Sequence, residues 1–289
     1  MSVISGSQGL INADASAVHH VRTWSIETKA ELGRIVSTAT DGGSQRIDGN
    51  EDWTGQYTAY GHTPAVMPGS SFAFEGAIEV PTLLTGHGVS GTALVESIEI
   101  AWDVEAAAPI GHTVNFGGDG ALTLHAGDLS VAGDDTIPDE YPSKGCKIQL
   151  GDVSAMPSFS DITDVRTMTL TITRSSQSYV STETAGKTRR IAGNAWDFTL
   201  SASVYQGRLD QLPQPNESKH VRMFVDGTQY WELKWAKFGE IGGVEVDVES
   251  EAIVGATISG QMSGIEKITA TPTKGFIKTP AGTTLWPAA

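Results

Sequence analysis

Hydrophobic and polar residues alternate along much of this chain. Thr167, Thr169, Thr171 and Thr173 alternate with Met168, Leu170 and Ile172. A period of two predicts a half-buried strand with its threonine face outward. Thr23–Ile26 predicts the start of a similar strand, and the charged run from Glu27 to Gly33 reads as a loop. After a turn at Asp41-Gly42-Gly43, Trp53 and Tyr57 mark a core strand, as Trp196–Ala202 does later. Val221–Val225 and Thr228–Leu233 flank Asp226-Gly227, which predicts a hairpin with a two-residue turn of positive φ. Ile98–Trp102, Thr113–Phe116, Val244–Val248 and Thr257–Ser259 add strands. Short helices fit at 104–108 and 248–253. The prediction is an all-β chain with at most one short helix per half.

The pattern is written twice. Val21-Arg22-Thr23 returns as Val165-Arg166-Thr167, an offset of 144 residues (165 minus 21). Arg46, Ile47, Gly49 and Asn50 return at the same offset as Arg190, Ile191, Gly193 and Asn194, and Asp103-Val104-Glu105 as Asp247-Val248-Glu249. One offset held at both ends of the unit predicts two tandem domains. The expected boundaries are an arm at 1–20, copy 1 at 21–145, a linker at 146–164, copy 2 at 165–270 and an arm at 271–289.

Composition supports strands and turns: threonine, serine, glycine and valine are abundant and leucine is sparse. No apolar run is long enough to span a membrane as a helix, and residues 1–13 do not read as a signal peptide. The lone Cys146 builds no disulfide framework and reads as a reduced structural thiol. The net charge of −15 argues against binding nucleic acid by neutralising phosphates. Residues 1–145 hold 5 Lys/Arg and 19 Asp/Glu, whereas residues 146–289 hold 14 and 15. The copies therefore differ in charge while sharing a pattern.

That difference predicts a contact. Copy 2 carries the basic residues Arg174, Lys187, Arg189, Arg190 and Arg208 where the equivalent region of copy 1 carries the acidic Glu27, Glu31, Asp41, Asp48, Glu51 and Asp52, a complementarity that would select a neighbouring domain or subunit. Solvated faces are the competing reading.

No catalytic constellation emerges, so neither an enzyme nor a cofactor is expected. Gly88-Val89-Ser90-Gly91 lacks nucleophile-elbow spacing, and no phosphate loop is present. His19-His20 would point to opposite faces of a strand. Asp134, Asp135, Asp139 and Glu140 lack a calcium-loop spacing and read as a solvated loop. Gly117-Gly118-Asp119-Gly120 reads as a turn. Trp231 and Trp235 share a face of a straight strand, where they could stack on sugars, but His87 and Gly91 stand at the matching places of copy 1. A glycosidase would need a carboxylate pair.

Ser25-Ile26-Glu27, Val36-Ser37-Thr38 and Gly49-x-x-Asp52-Trp53-Thr54-Gly55-x-Tyr57 together resemble the tail tube proteins (major tail proteins) of long-tailed bacteriophages. Copy 2 keeps Gly193, Asn194 and Trp196 but replaces Asp-Trp-Thr-Gly with Ala195-Trp196-Asp197-Phe198. The resemblance implies a β-sandwich or half-barrel domain whose sheets join those of its neighbours. Two fused domains would give a trimeric, pseudo-hexameric ring, stacked into a tube in the virion tail. The implied partners are further copies of the chain, a tail terminator, a distal tail or baseplate protein and a tape measure. Assembly would take place in the host cytoplasm, and DNA would pass through without specific binding. The alternative is a tandem carbohydrate-binding or receptor-binding β-sandwich of a virion.

Overall fold

The computed structural model describes residues 9–36, 44–79, 85–106, 108–131, 143, 145–153, 157–162, 164–205, 212–245, 255–262 and 277–286. These form β1 (Leu10–Ala13), β2 (Ser16–Ala17), β3 (Val21–Val36), β4 (Ser44–Tyr60), β5 (Ser71–Glu79), β6 (Thr85–Asp103), β7 (Gly111–Ser130), β8 (Ile148–Asp152), β9 (Phe159–Ile162), β10 (Val165–Tyr179), β11 (Arg189–Tyr205), β12 (Ser218–Phe224), β13 (Tyr230–Glu245), β14 (Gly255–Met262), β15 (Ile277–Lys278) and β16 (Thr284–Trp286). The protein is all-β. Among the described residues its only helical element is a 3-10 turn at Thr182–Thr184.

Two stretches of chain pair their strands in one order. The first runs β3-β4-β7-β6-β5-β1-β2, and the second β10-β11-β14-β13-β12-β8-β9. Every pairing is antiparallel. The stretches are joined where residues 97–103 of β6 pair with residues 167–173 of β10. The result is one continuous run of eight strands, β3-β4-β7-β6-β10-β11-β14-β13.

Long strands serve two layers. Register shifts at Gly91/Ala93 and Val95/Ser97 interrupt β6, and such bulges bend a strand. Beyond them, residues 87–94 pair with β5. β5 lays Phe72 and Phe74 on Phe116 of β7, with ring centres 5.5 and 5.0 Å apart. Phe74 also meets Trp24 and Trp53. One apolar core, from Ile11 through Trp102 and Leu170 to Trp231 and Ile277, spans both halves.

Several expectations are corrected. The run from Glu27 to Gly33 is strand, because β4 pairs with it along its length. Residues 146–164, read as a linker, contain β8 and β9, and β8 pairs with β12. Residues 10–13, read as part of an arm, pair with β5 and bury Ile11. Residues 277–278, read as part of the C-terminal arm, pair with β13. Gly117-Gly118-Asp119-Gly120 lies within β7, not in a turn. The hairpin at 226–227 exists, but its loop is longer than two residues: the Asp226 carboxylate accepts from the backbone of Thr228 and Gln229. Residues 104–106 make a turn where a helix was expected, and 248–253 lie outside the described residues.

Candidate functional site

One face of the eight-stranded run is polar from edge to edge. Thr23, Thr58, Thr113, Glu99, Thr171, Thr199, Gln261 and Lys237 stand side by side across it, one from each strand. Ser25, Gln56, Asn115, Ser97, Thr173 and Asp197 form the next row. Residues between these on each strand turn inward: Tyr57, Val114, Ile98, Ile172 and Leu200 are fully or almost fully buried. The period-two pattern thus produces one wet face and one core face. On the wet face, Thr23 and Thr58 share a hydroxyl hydrogen bond of 2.6 Å, and Asn115 donates to Ser97.

A charged clasp closes the junction of the halves beside this face. Arg190 of β11, whose side chain is 8% exposed, grips both carboxylate oxygens of Asp52 at 2.8 and 2.9 Å and donates to the Gly118 carbonyl. Its third neighbour is Glu96, at 3.4 Å. Arg189 binds Asp119 at 2.6 Å, and Lys187 pairs with Glu51. Glu51 and Lys187 also bridge through their backbones, and Gly120 donates its amide to the Thr188 carbonyl. Gly117 and Gly118 have no side chains, and a Cβ on either would collide with Arg190 or Trp53.

Of the predicted charges, Lys187, Arg189 and Arg190 come together with Glu51 and Asp52 within one chain. Glu27 lies on the polar face opposite Thr54. Glu31 and Asp48 are exposed on the β3–β4 hairpin. Among the described residues, Arg174 meets no acid. It donates to the Gly193 carbonyl at 2.7 Å and lies over the Trp196 ring. Asp41 and Arg208 lie outside the described residues. Sequence reasoning missed Asp119 and Glu96 as acceptors. The glycine run beside Asp119 was the available signal, because glycine within a strand marks close approach.

The motif residues have structural places. Trp53 is buried, and its indole N–H donates to the Gly120 carbonyl at 3.0 Å. Thr54 is exposed. Gly55 sits between Ile26 and Phe116, where a Cβ would strike both. The Tyr57 hydroxyl is buried, and that burial raises its pKa. Gly49 and Gly193 press against the backbone of Glu31 and Ser175, two residues that are also 144 apart. Asn194 is exposed. Trp196 does not stand where Trp53 stands. Trp53 pairs with Thr28, and the matching Ile172 pairs with Phe198. An extra residue in the β11 bulge causes the shift.

Potential chemistry is sparse among the described residues, where no three of His, Cys, Asp and Glu cluster as metal ligands. Cys146 is buried, which pushes its thiol up to about 12. Burial lowers the pKa of His62, His112 and His220. His19 and His20 occupy a turn, with His20 at φ 56°, rather than a strand. Trp231 is buried and donates to the His62 carbonyl, whereas Trp235 has φ 62° at an irregular point of β13, so the two do not form a platform. Asp134, Asp135, Asp139 and Glu140 lie outside the described residues. No helix among the described residues is long and apolar enough to cross a membrane.

No family model matches the chain, and no curated protein matches it. Among solved structures, a chain of the virion of a native gene transfer agent particle is similar, with 18% identity and a TM-score of 0.32, over 43% of this chain and 100% of that one.

Proposed function

We propose that this protein is the subunit of a phage-type tail tube, with two copies of one domain in each chain. Three chains would close a ring, and stacked rings would form a conduit in the virion for DNA. The observation that carries this reading is the eight-stranded run with a continuous polar face. Such a sheet has two open edges, and edges are a liability unless something covers them. A head-to-tail contact that closes gives a ring, and one that repeats along an axis gives a stack. Three times eight strands, spaced about 4.8 Å apart and tilted about 40°, enclose a barrel of roughly 24 Å radius.

The polar face is rich in hydroxyls and amides and carries Glu27, Glu99 and Asp197, with Lys237 at its β13 side. A wall of this kind hydrates a passing polyanion without holding it, and at about 8 Å the Debye length confines the repulsion to the wall. The same strand-pairing order in both halves supports the duplication, and with it a pseudo-sixfold ring. Contacts with a terminator, a baseplate protein and a tape measure belong to this reading, as does assembly in the host cytoplasm. Against the carbohydrate-binding alternative stands the buried Trp231. Negative-stain electron microscopy of the purified protein tests the proposal. Rings or tubes with a central opening are expected, and isolated compact particles at every concentration would contradict it.

A further inference from the structure

The join between β6 and β10 has a counterpart that one chain leaves open. By strand order β3 matches β10, and β13 matches β6. The outer edge of β3 has no partner among the described residues, since only β4 pairs with this strand. Among the described residues, 240–245 of β13 pair with β14 alone, although the matching part of β6 pairs on both sides. Resting on the duplicated-domain reading above, we propose that a second copy of this chain fills the gap. Its β3 pairs antiparallel with residues 240–245, and its Arg46 takes the place at Asp197 that Arg190 takes at Asp52.

The internal join supplies the register. Thr173 faces Ser97 and Thr169 faces Ala101. Carried over through the shared pairing order, Lys29 of one chain faces Glu240 of the next and Ser25 faces Glu245, the extra residue of β13 falling at its register shift between Gly242 and Glu245.

The β3–β4 hairpin supplies the second argument. Arg46 stands 144 residues before Arg190, and both precede an isoleucine. Within one chain Arg46 is directly opposite Arg34 across the hairpin, both exposed, a juxtaposition that an arriving carboxylate relieves. Asp197 is exposed on β11. It stands one residue before Phe198, as Asp52 stands one before Trp53, and Phe198 and Trp53 hold equivalent positions. The neighbourhoods differ where Gln261 and Met262 stand in place of Gly117 and Gly118, so Arg46 reaches Asp197 past the Gln261 side chain, whose amide oxygen can accept from a guanidinium.

The test is a charge swap in the full chain, read by mass photometry over a concentration series beside the wild type. Arg46→Asp and Asp197→Arg are each expected to raise the concentration needed for assembly at least tenfold. Together they are expected to restore it. Both positions are exposed, and thermal melting reports whether each variant folds. A second variant, Ser25→Cys with Glu245→Cys, is expected to cross-link chains on oxidation while Cys146 stays buried. If the wild type assembles and the single substitutions change nothing, or the double fails to restore assembly and the cysteines do not cross-link, this interface is wrong and the ring reading stands. A wild type that never assembles overturns both.

Discussion

Arg190 carries the largest electrostatic commitment at the junction of the halves. Its guanidinium is nearly enclosed, and Asp52 accepts from it through both carboxylate oxygens. Removing one partner of such a pair leaves the other poorly solvated. Asp52→Ala should therefore cost roughly 2–3 kcal/mol, read from urea unfolding midpoints, whereas Asp48→Ala on the exposed hairpin should change stability by less than about 0.5 kcal/mol. Equal effects would deny the clasp its role. Histidines set a second residue-scale expectation. His62, His112 and His220 have pKa values lowered by burial, so each stays neutral in the fold and protonates more readily in the unfolded chain. Their contribution is complete above about pH 6.5, the unfolded value, and is lost as pH falls from there through the lowered folded values. Each adds a slope of up to about 1.4 kcal/mol per pH unit in that window. Unfolding midpoints that stay level between pH 7.5 and pH 5 would sink this account.

At the scale of elements, the two long hairpins are the parts that packing within one chain explains least. Leu32, Val36 and Ile47 on the β3–β4 hairpin are exposed, as are Tyr179, Val180 and Ile191 on the β10–β11 hairpin. Exposed apolar residues gathered on a projecting element mark an interaction surface. Replacing Leu32 and Ile47 with serine should leave monomer stability within about 0.5 kcal/mol and shorten the tubes seen by electron microscopy. Tubes of unchanged length would remove the hairpin from ring stacking. The elements also show which sequence signals were legible. β10 was plain because its threonines alternate without a break. β3 was obscured by charges at 27–31, which are tolerated because that part of the hairpin projects into solvent. β8 and β9 hid in a segment without a clear alternation, because β9 pairs only with the short β8 and the other partner of β8, β12, lies about 70 residues away. Gly49 and Gly193, which share the 144-residue spacing, both press on the opposing strand at a bulge. Trp53 and Trp196 were wrongly matched because that bulge holds one more residue in β11, a change that spacing alone does not reveal. At the clasp, the bases at 187–190 and two of their acids were legible. Asp119 and Glu96 were not, because only the pairing of β6 and β7 brings those acids to the same place.

For the whole molecule, an uneven charge and a shared strand-pairing order meet in one arrangement. The acidic first half and the balanced second half touch through the clasp and share one sheet, so each chain already contains one instance of the contact that a ring would repeat. A polar face on eight consecutive strands suits a wall better than a pocket. The central claim is that three chains close that wall. Mass photometry of the purified protein from dilute to concentrated solution tests it most directly. The account predicts a closed species at three times the 30.5 kDa chain, followed by stacks in multiples of that mass, with no stable dimer between. A particle that stays at 30.5 kDa, or that stops at two chains, would contradict it.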